Sequence, residues 1–206
     1  LVIVDTTVQE KNAAFPTDAK LAHRARERLV KLADKHDVTL RQSYARVGKH
    51  ALIKQQRYAH AKQFNRAKAK LRTLRTYLGR TIRDIVRKTA GDSFLQNRFA
   101  AELYKANRVL TQKPRDGGKH IYSLHAPEVE CIGKGKSHKP YEFGVKASIA
   151  TTLNRSKGGQ FAIHAKTLPG KPYDGHTLET VLPDIEALTG AGIKRVLADA
   201  GYKGHN

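Results

Sequence analysis

The residues best suited to chemistry are two aspartates, each at the exit of a short apolar run. Leu1-Val2-Ile3-Val4 leads into Asp5, and Val196-Leu197-Ala198 leads into Asp199. Near-continuous apolar runs of this length read as buried strands. Neighbouring strands lie about 5 Å apart, so the two carboxylates can share one divalent ion or help hold two about 3.5–4 Å apart. Hard carboxylate oxygens select Mg²⁺ or Mn²⁺ over softer metals. The chemistry open to such a site is in-line displacement at a DNA phosphate, with water or a 3′-hydroxyl as nucleophile. Taken singly, either aspartate also fits a turn former or a helix cap.

Charge supports a polyanionic partner. The 206-residue chain carries 39 Lys and Arg against 18 Asp and Glu, a formal net charge of +21. Between Ala19 and Arg115 there are 26 basic and 6 acidic residues, whereas the rest holds 13 and 12. Six acids cannot pair 26 cations, so the middle of the chain presents a basic surface suited to nucleic acid. No apolar run reaches the ~20 residues of a membrane span. Cys131 is the sole cysteine, which excludes a disulfide within the chain and favours a reducing compartment. No spacing suggests a zinc site.

The elements that must position the two acids follow in order. Thr17 or Asp18 caps a helix to about Lys35, and a second helical stretch covers roughly Thr39 to Ala90. Its apolar stripe is Phe64, Ala67, Leu71, Leu74, Leu78, Ile82 and Ile85, at gaps of three and four. Gly48 and Gly79 mark possible breaks. Asp92 caps a further helix carrying Leu95, Phe99 and Leu103, which ends before Pro114. Segments Ile121 to Ile132, Tyr141 to Ile149 and Gln160 to Leu168 read as extended. Asp174 precedes a helix containing Pro183, and the Asp199 strand closes the chain. A helix of that length can carry the last strand over to lie parallel to the first. The expected organisation is a strand in 1–16, a basic helical insertion over 17–115, and the rest of the core over 116–206.

Candidate DNA contacts are Lys134, Lys136 and Lys139 in the Gly133–Pro140 loop, Lys203 beyond the second acid, and Arg66 and Lys70 on the basic helix. Tyr44, Tyr58, Tyr77 and Phe64 interleave the cations and could stack on bases, although the stripe position of Phe64 suits core packing.

Asp5-Thr6-Thr7-Val8 with Phe15-Pro16-Thr17-Asp18 resembles a block of bacterial insertion-sequence transposases of the DDE type, nearest to insertion-sequence family five. Tyr141-Glu142-Phe143-Gly144-Val145-Lys146, Asp174-Gly175-His176-Thr177-Leu178 and Ala198-Asp199-Ala200-Gly201-Tyr202-Lys203-Gly204 resemble later blocks, in the same order. The resemblance implies an RNase H-like α/β core and Mg²⁺-dependent cleavage and strand transfer at element ends. It implies a bacterial, cytoplasmic, nucleoid-associated enzyme with transposon-end and target DNA as partners and no membrane. The full-length protein could act as a homo-oligomer.

The same resemblance assigns catalysis and metal binding to Asp5, Asp199 and a Glu later in the chain. None of Glu128, Glu130, Glu142, Glu179 or Glu186 stands in the right order. The chain lacks Met and begins inside a strand, so it reads as an internal piece whose third acid lies beyond Asn206, inactive alone. Two other classes fit the same residues. One is a non-catalytic nucleic-acid-binding module whose acids cap turns, and the other is a metal-dependent nuclease without strand transfer.

Overall fold

In a computed structural model, residues 1–11, 15–113, 120–134, 137–154 and 157–203 are described. They form a mixed α/β structure with five α-helices and a mixed five-stranded sheet. The chain divides into two compact units, Leu1–Ala13 with Glu128–Asn206, and Ala14–Pro127.

The first unit holds the sheet. Strand β1 (Val2–Glu10) pairs antiparallel along its length with β3 (Tyr141–Thr152), Asp5 facing Ile149. β2 (Glu130–Gly133) and β4 (Ala162–Thr167) both pair antiparallel with β3. β5 (Val196–Leu197) lies parallel to β1, Val2 opposite Val196 and Ile3 opposite Leu197. Helix α5 (Asp174–Thr189) connects β4 to β5, as a parallel pairing requires. It buries Val181 and Ile185 against Val2, Val4 and Ala150, all inward positions of the period-two pattern. Pro183 interrupts no turn of α5, and it sits on the exposed face, where water can take the freed carbonyl. Gly144 is required by the β1–β3 pairing, since an added Cβ would stand 2.1 Å from the Gln9 carbonyl oxygen.

The second unit is helical. It comprises α1 (Asp18–Lys35), α2 (Ala45–His60), α3 (Phe64–Lys88) and α4 (Ser93–Thr111). The caps are those the sequence predicts. Thr17 Oγ1 accepts from Lys20 N at 3.3 Å, and Asp92 Oδ1 accepts from Leu95 N at 2.9 Å. The stripe packs from Leu71 to Ile85, meeting Leu21, Ala25 and Leu29 of α1 and Phe99 and Val109 of α4 in one core.

Three expectations are corrected. The stretch from Thr39 to Ala90 is two helices, broken at Ala61–Gln63, where Lys62 adopts φ 56°. Gly48 and Gly79 instead lie inside helices. Phe64 is 61% exposed, because the first residue of α3 precedes the turns that meet another helix.

The third correction concerns 121–132, where only Glu130–Gly133 is strand. Ile121 and Leu124 belong to the helical core. Gln112 explains their placement: its side chain accepts from Ile121 N at 3.1 Å and donates to Asp18 at 3.2 Å. Arg75 closes the network on Asp18 and the Gln112 carbonyl. The helical unit therefore runs on to Pro127, whereas position 115, the boundary expected from sequence, lies outside the described residues.

Candidate functional site

The site is built on β1. The parallel pairing ends at Ile3 and Leu197, two residues before Asp5 and Asp199 respectively, so both acids leave the same end of adjacent strands. Both aspartates are exposed. Asp5 Oδ1 accepts from Thr6 N at 2.8 Å, and Asp199 Oδ1 accepts from Gly201 N at 2.8 Å, capping a 3₁₀ turn over Ala200–Tyr202. In each case one oxygen is turned to the backbone. Among the described residues neither carboxylate has a cationic partner, so both can receive a divalent ion through the second oxygen. No group of three or more His, Cys, Asp or Glu suited to a metal occurs among the described residues. The donor set is thus two hard carboxylates, which fits Mg²⁺ or Mn²⁺ if other ligands are water or substrate oxygens.

Three further residues join the pair, none of them singled out from sequence as site residues. Asp174, the first residue of α5, takes the Thr6 hydroxyl at 2.6 Å and the Lys146 ammonium at 2.6 Å. Lys146 also donates to the Pro172 carbonyl at 2.8 Å. The Tyr202 hydroxyl is buried beside the hydroxyl of Thr6. Its pKa is pushed up to about 12, first by burial, against an opposing side-chain hydrogen bond with Thr6, and then by the negative charges of Asp174, Asp5 and Asp199. One phenol therefore feels the field of all three carboxylates. Gly175 lets this happen. An added Cβ there would stand 2.8 Å from the Tyr202 carbonyl oxygen, so the glycine admits the 3₁₀ turn against the start of α5.

A signal for these residues existed. Lys146 occupies an inward position of β3, next but one to the fully buried Ser148. A charged group on the buried face of a strand calls for a partner. Asp174 reads from sequence only as a helix start, because its partners lie far away in the chain.

The candidate DNA contacts are arranged differently from one another. Lys134 lies 3.4 Å from Glu142, and Lys139 pairs with Glu10 and, at 3.5 Å, with Glu142. The hydrogen bond to Glu10 raises the Lys139 pKa above the ordinary lysine range. These two lysines thus arrive partly neutralised. Lys203 is exposed, next to the Tyr202 turn. Lys136 lies outside the described residues. In the helical unit Arg66 is exposed, bonds Gln63 at 3.1 Å and sits over the Tyr58 ring at 5.8 Å, while Lys70 is half-buried. Tyr44 and Tyr77 stack on each other at 4.6 Å, which takes one face of each away from a base.

No helix among the described residues is long and apolar enough to cross a membrane. No family model matches the chain, and no solved structure matches it. It is similar to a protein of Rhizobium meliloti described as "Uncharacterized protein ORF8 in nfe locus", 54% identical over 63 residues. The match covers 31% of this chain and 30% of that protein, so the chain spans less than a third of the length of the relative it matches.

Proposed function

We propose that this chain is part of the catalytic core of a DDE-type DNA transposase with an RNase H-like fold. The observation that carries the reading is the register of β1 and β5, which delivers Asp5 and Asp199 to one end of two adjacent parallel strands. In this reading Asp5 and Asp199 hold Mg²⁺ or Mn²⁺, which supplies nucleophile activation and charge neutralisation at the scissile phosphate. The chain's own residues do the positioning. Lys146 and Thr6 fix Asp174, and the α5 start supports the turn that presents Asp199. A helical unit carrying most of the chain's positive charge is inserted directly after the first acidic strand, which supplies attraction for DNA.

The capping bond from Asp199 to Gly201 N favours one other reading, a nucleic-acid-binding module whose acids only shape turns. Mn²⁺ titration separates the two. Asn retains the Oδ1 acceptor and hence both backbone bonds, so D5N and D199N should fold normally and each lose Mn²⁺ binding seen with the wild-type chain. Unchanged Mn²⁺ binding in both variants removes the metal site and leaves the binding module. Joining of element ends by the complete protein then distinguishes a transposase from a nuclease that only cuts.

A further inference from the structure

We propose that a cleft in the helical unit, between the α1–α2 connection and α3, is the seat of the DNA phosphate backbone. The proposal rests on the transposase reading and gives the basic unit a specific contact surface. The cleft encloses about 370 Å³ and is lined by Arg41, Tyr44, Arg80, Arg83, Asp84 and Arg87, together with Gln42. Four guanidinium groups face one carboxylate, and that carboxylate is occupied. Asp84 is 7% exposed, and its Oδ2 accepts from Arg41 N at 2.7 Å. Its other oxygen is 4.0 Å from Arg87, and Lys88 adds another cation at 3.9 Å. Among the described residues Arg41, Arg80 and Arg83 have no carboxylate partner. The acid therefore organises the cleft without neutralising it.

The walls are fixed before any ligand arrives. Asp84 ties the Arg41 backbone to α3, and the Lys88 amine donates to the Thr39 carbonyl of the same connection. Tyr44 is held at φ 53° and stacked on Tyr77, with 14° between the rings. A non-glycine residue in that region is strained and persists only where its surroundings hold it. Arginine can grip a phosphate through two parallel hydrogen bonds.

Spacing selects a polymer over a single ion. Arg80, Arg83 and Arg87 fall on one side of α3 at steps of three and four. At ~1.5 Å per residue the row is roughly 10 Å long. Successive phosphates of one strand lie farther apart than the ~3.4 Å axial step because the strand winds around the axis, so the row meets about two.

The test is duplex binding by the whole chain, followed by fluorescence anisotropy over a salt series. The cleft variant is R80Q/R83Q/R87Q, and the control R24Q/R57Q/R98Q removes equal charge from α1, α2 and α4. Each lost phosphate contact flattens the slope of log K against log salt by about 0.9. The cleft variant should lose about 2 units of slope and at least tenfold in affinity at low salt, with the control within about one unit of wild type. If the glutamine variant fails to fold, R80K/R83K/R87K should retain the slope and lose several-fold in affinity, since lysine cannot grip bidentately. Equal losses in cleft and control variants, or none in the cleft variant, overturn the proposal and leave the transposase reading standing. Competition by inorganic phosphate, with duplex affinity unaltered by the cleft substitutions, overturns it in favour of a free-phosphate site. A wild-type chain that binds no duplex at low salt overturns both readings.

Discussion

The Thr6 hydroxyl donates to the Asp174 carboxylate at 2.6 Å across 168 positions of sequence. Thr6 follows the first candidate metal ligand, and Asp174 opens the helix leading to the second. This bond and the Lys146–Asp174 ion pair hold the two halves of the site together within the sheet unit.

Removing the lysine should therefore loosen that unit. Lys146 is 13% and Asp174 27% exposed in their side chains, so the pair is largely withdrawn from water. K146M leaves a half-buried carboxylate without its cation and should cost about 2 kcal/mol in chemical denaturation. The double variant K146M/D174N should cost less than the two single changes added together. Strictly additive losses would show that the two groups do not act as a pair.

Gly175 should matter for position more than for stability. A methyl group there meets the Tyr202 carbonyl oxygen at 2.8 Å and the Tyr173 ring at 3.0 Å. G175A should destabilise by about 1–3 kcal/mol and weaken Mn²⁺ binding, although both aspartates remain. G133A, whose added methyl meets open space, should change neither. Wild-type Mn²⁺ affinity in G175A would show that the 3₁₀ turn is not set by this contact.

Much of the architecture was visible before the structure. Caps at Thr17 and Asp92 and the stripe from Leu71 to Ile85 depend on neighbours within a few positions, where periodicity is informative. Asp5 and Asp199 were legible because each ends an apolar run. The fate of Ile121 to Pro127 was not, because apolar alternation looks the same whether a segment joins a sheet or packs on helices. The Gln112 side chain, a tertiary contact, decides it. Asp174 and Tyr202 escaped for a related reason: each is ordinary in its local context and unusual only beside its partners.

Tyr202 offers a check on the interior of the site. Its hydroxyl is buried, and its polar neighbour Thr6 already spends its own proton on Asp174. Deleting a group in that state returns its desolvation cost, so Y202F should match wild type within about 0.5 kcal/mol or exceed it. A loss above about 1.5 kcal/mol would reveal a partner for the phenol.

Stability of the helical unit should depend on His23. The ring is 6% exposed, and burial lowers its pKa, with Arg26 and Arg24 adding to the effect and Glu27 opposing it. The unfolded chain then binds a proton more readily than the folded one as pH falls below about 6.5. Stability from a neutral His23 is complete above that pH and declines on acidification. The difference in denaturation midpoint between wild type and H23N should shrink or reverse from pH 7 to pH 5.5. A constant difference would place His23 outside the titration.

The insertion between β1 and its partners also sets a timetable. On a ribosome adding about 5–20 residues per second, roughly 8–35 s separate the synthesis of Thr6 from that of Asp174. Until β3 emerges, β1 has no partner strand, while the helical unit, rich in local contacts, can fold in microseconds to milliseconds. The nascent chain thus carries a finished basic bundle beside an unpaired sticky edge, the kind of segment that chaperones bind.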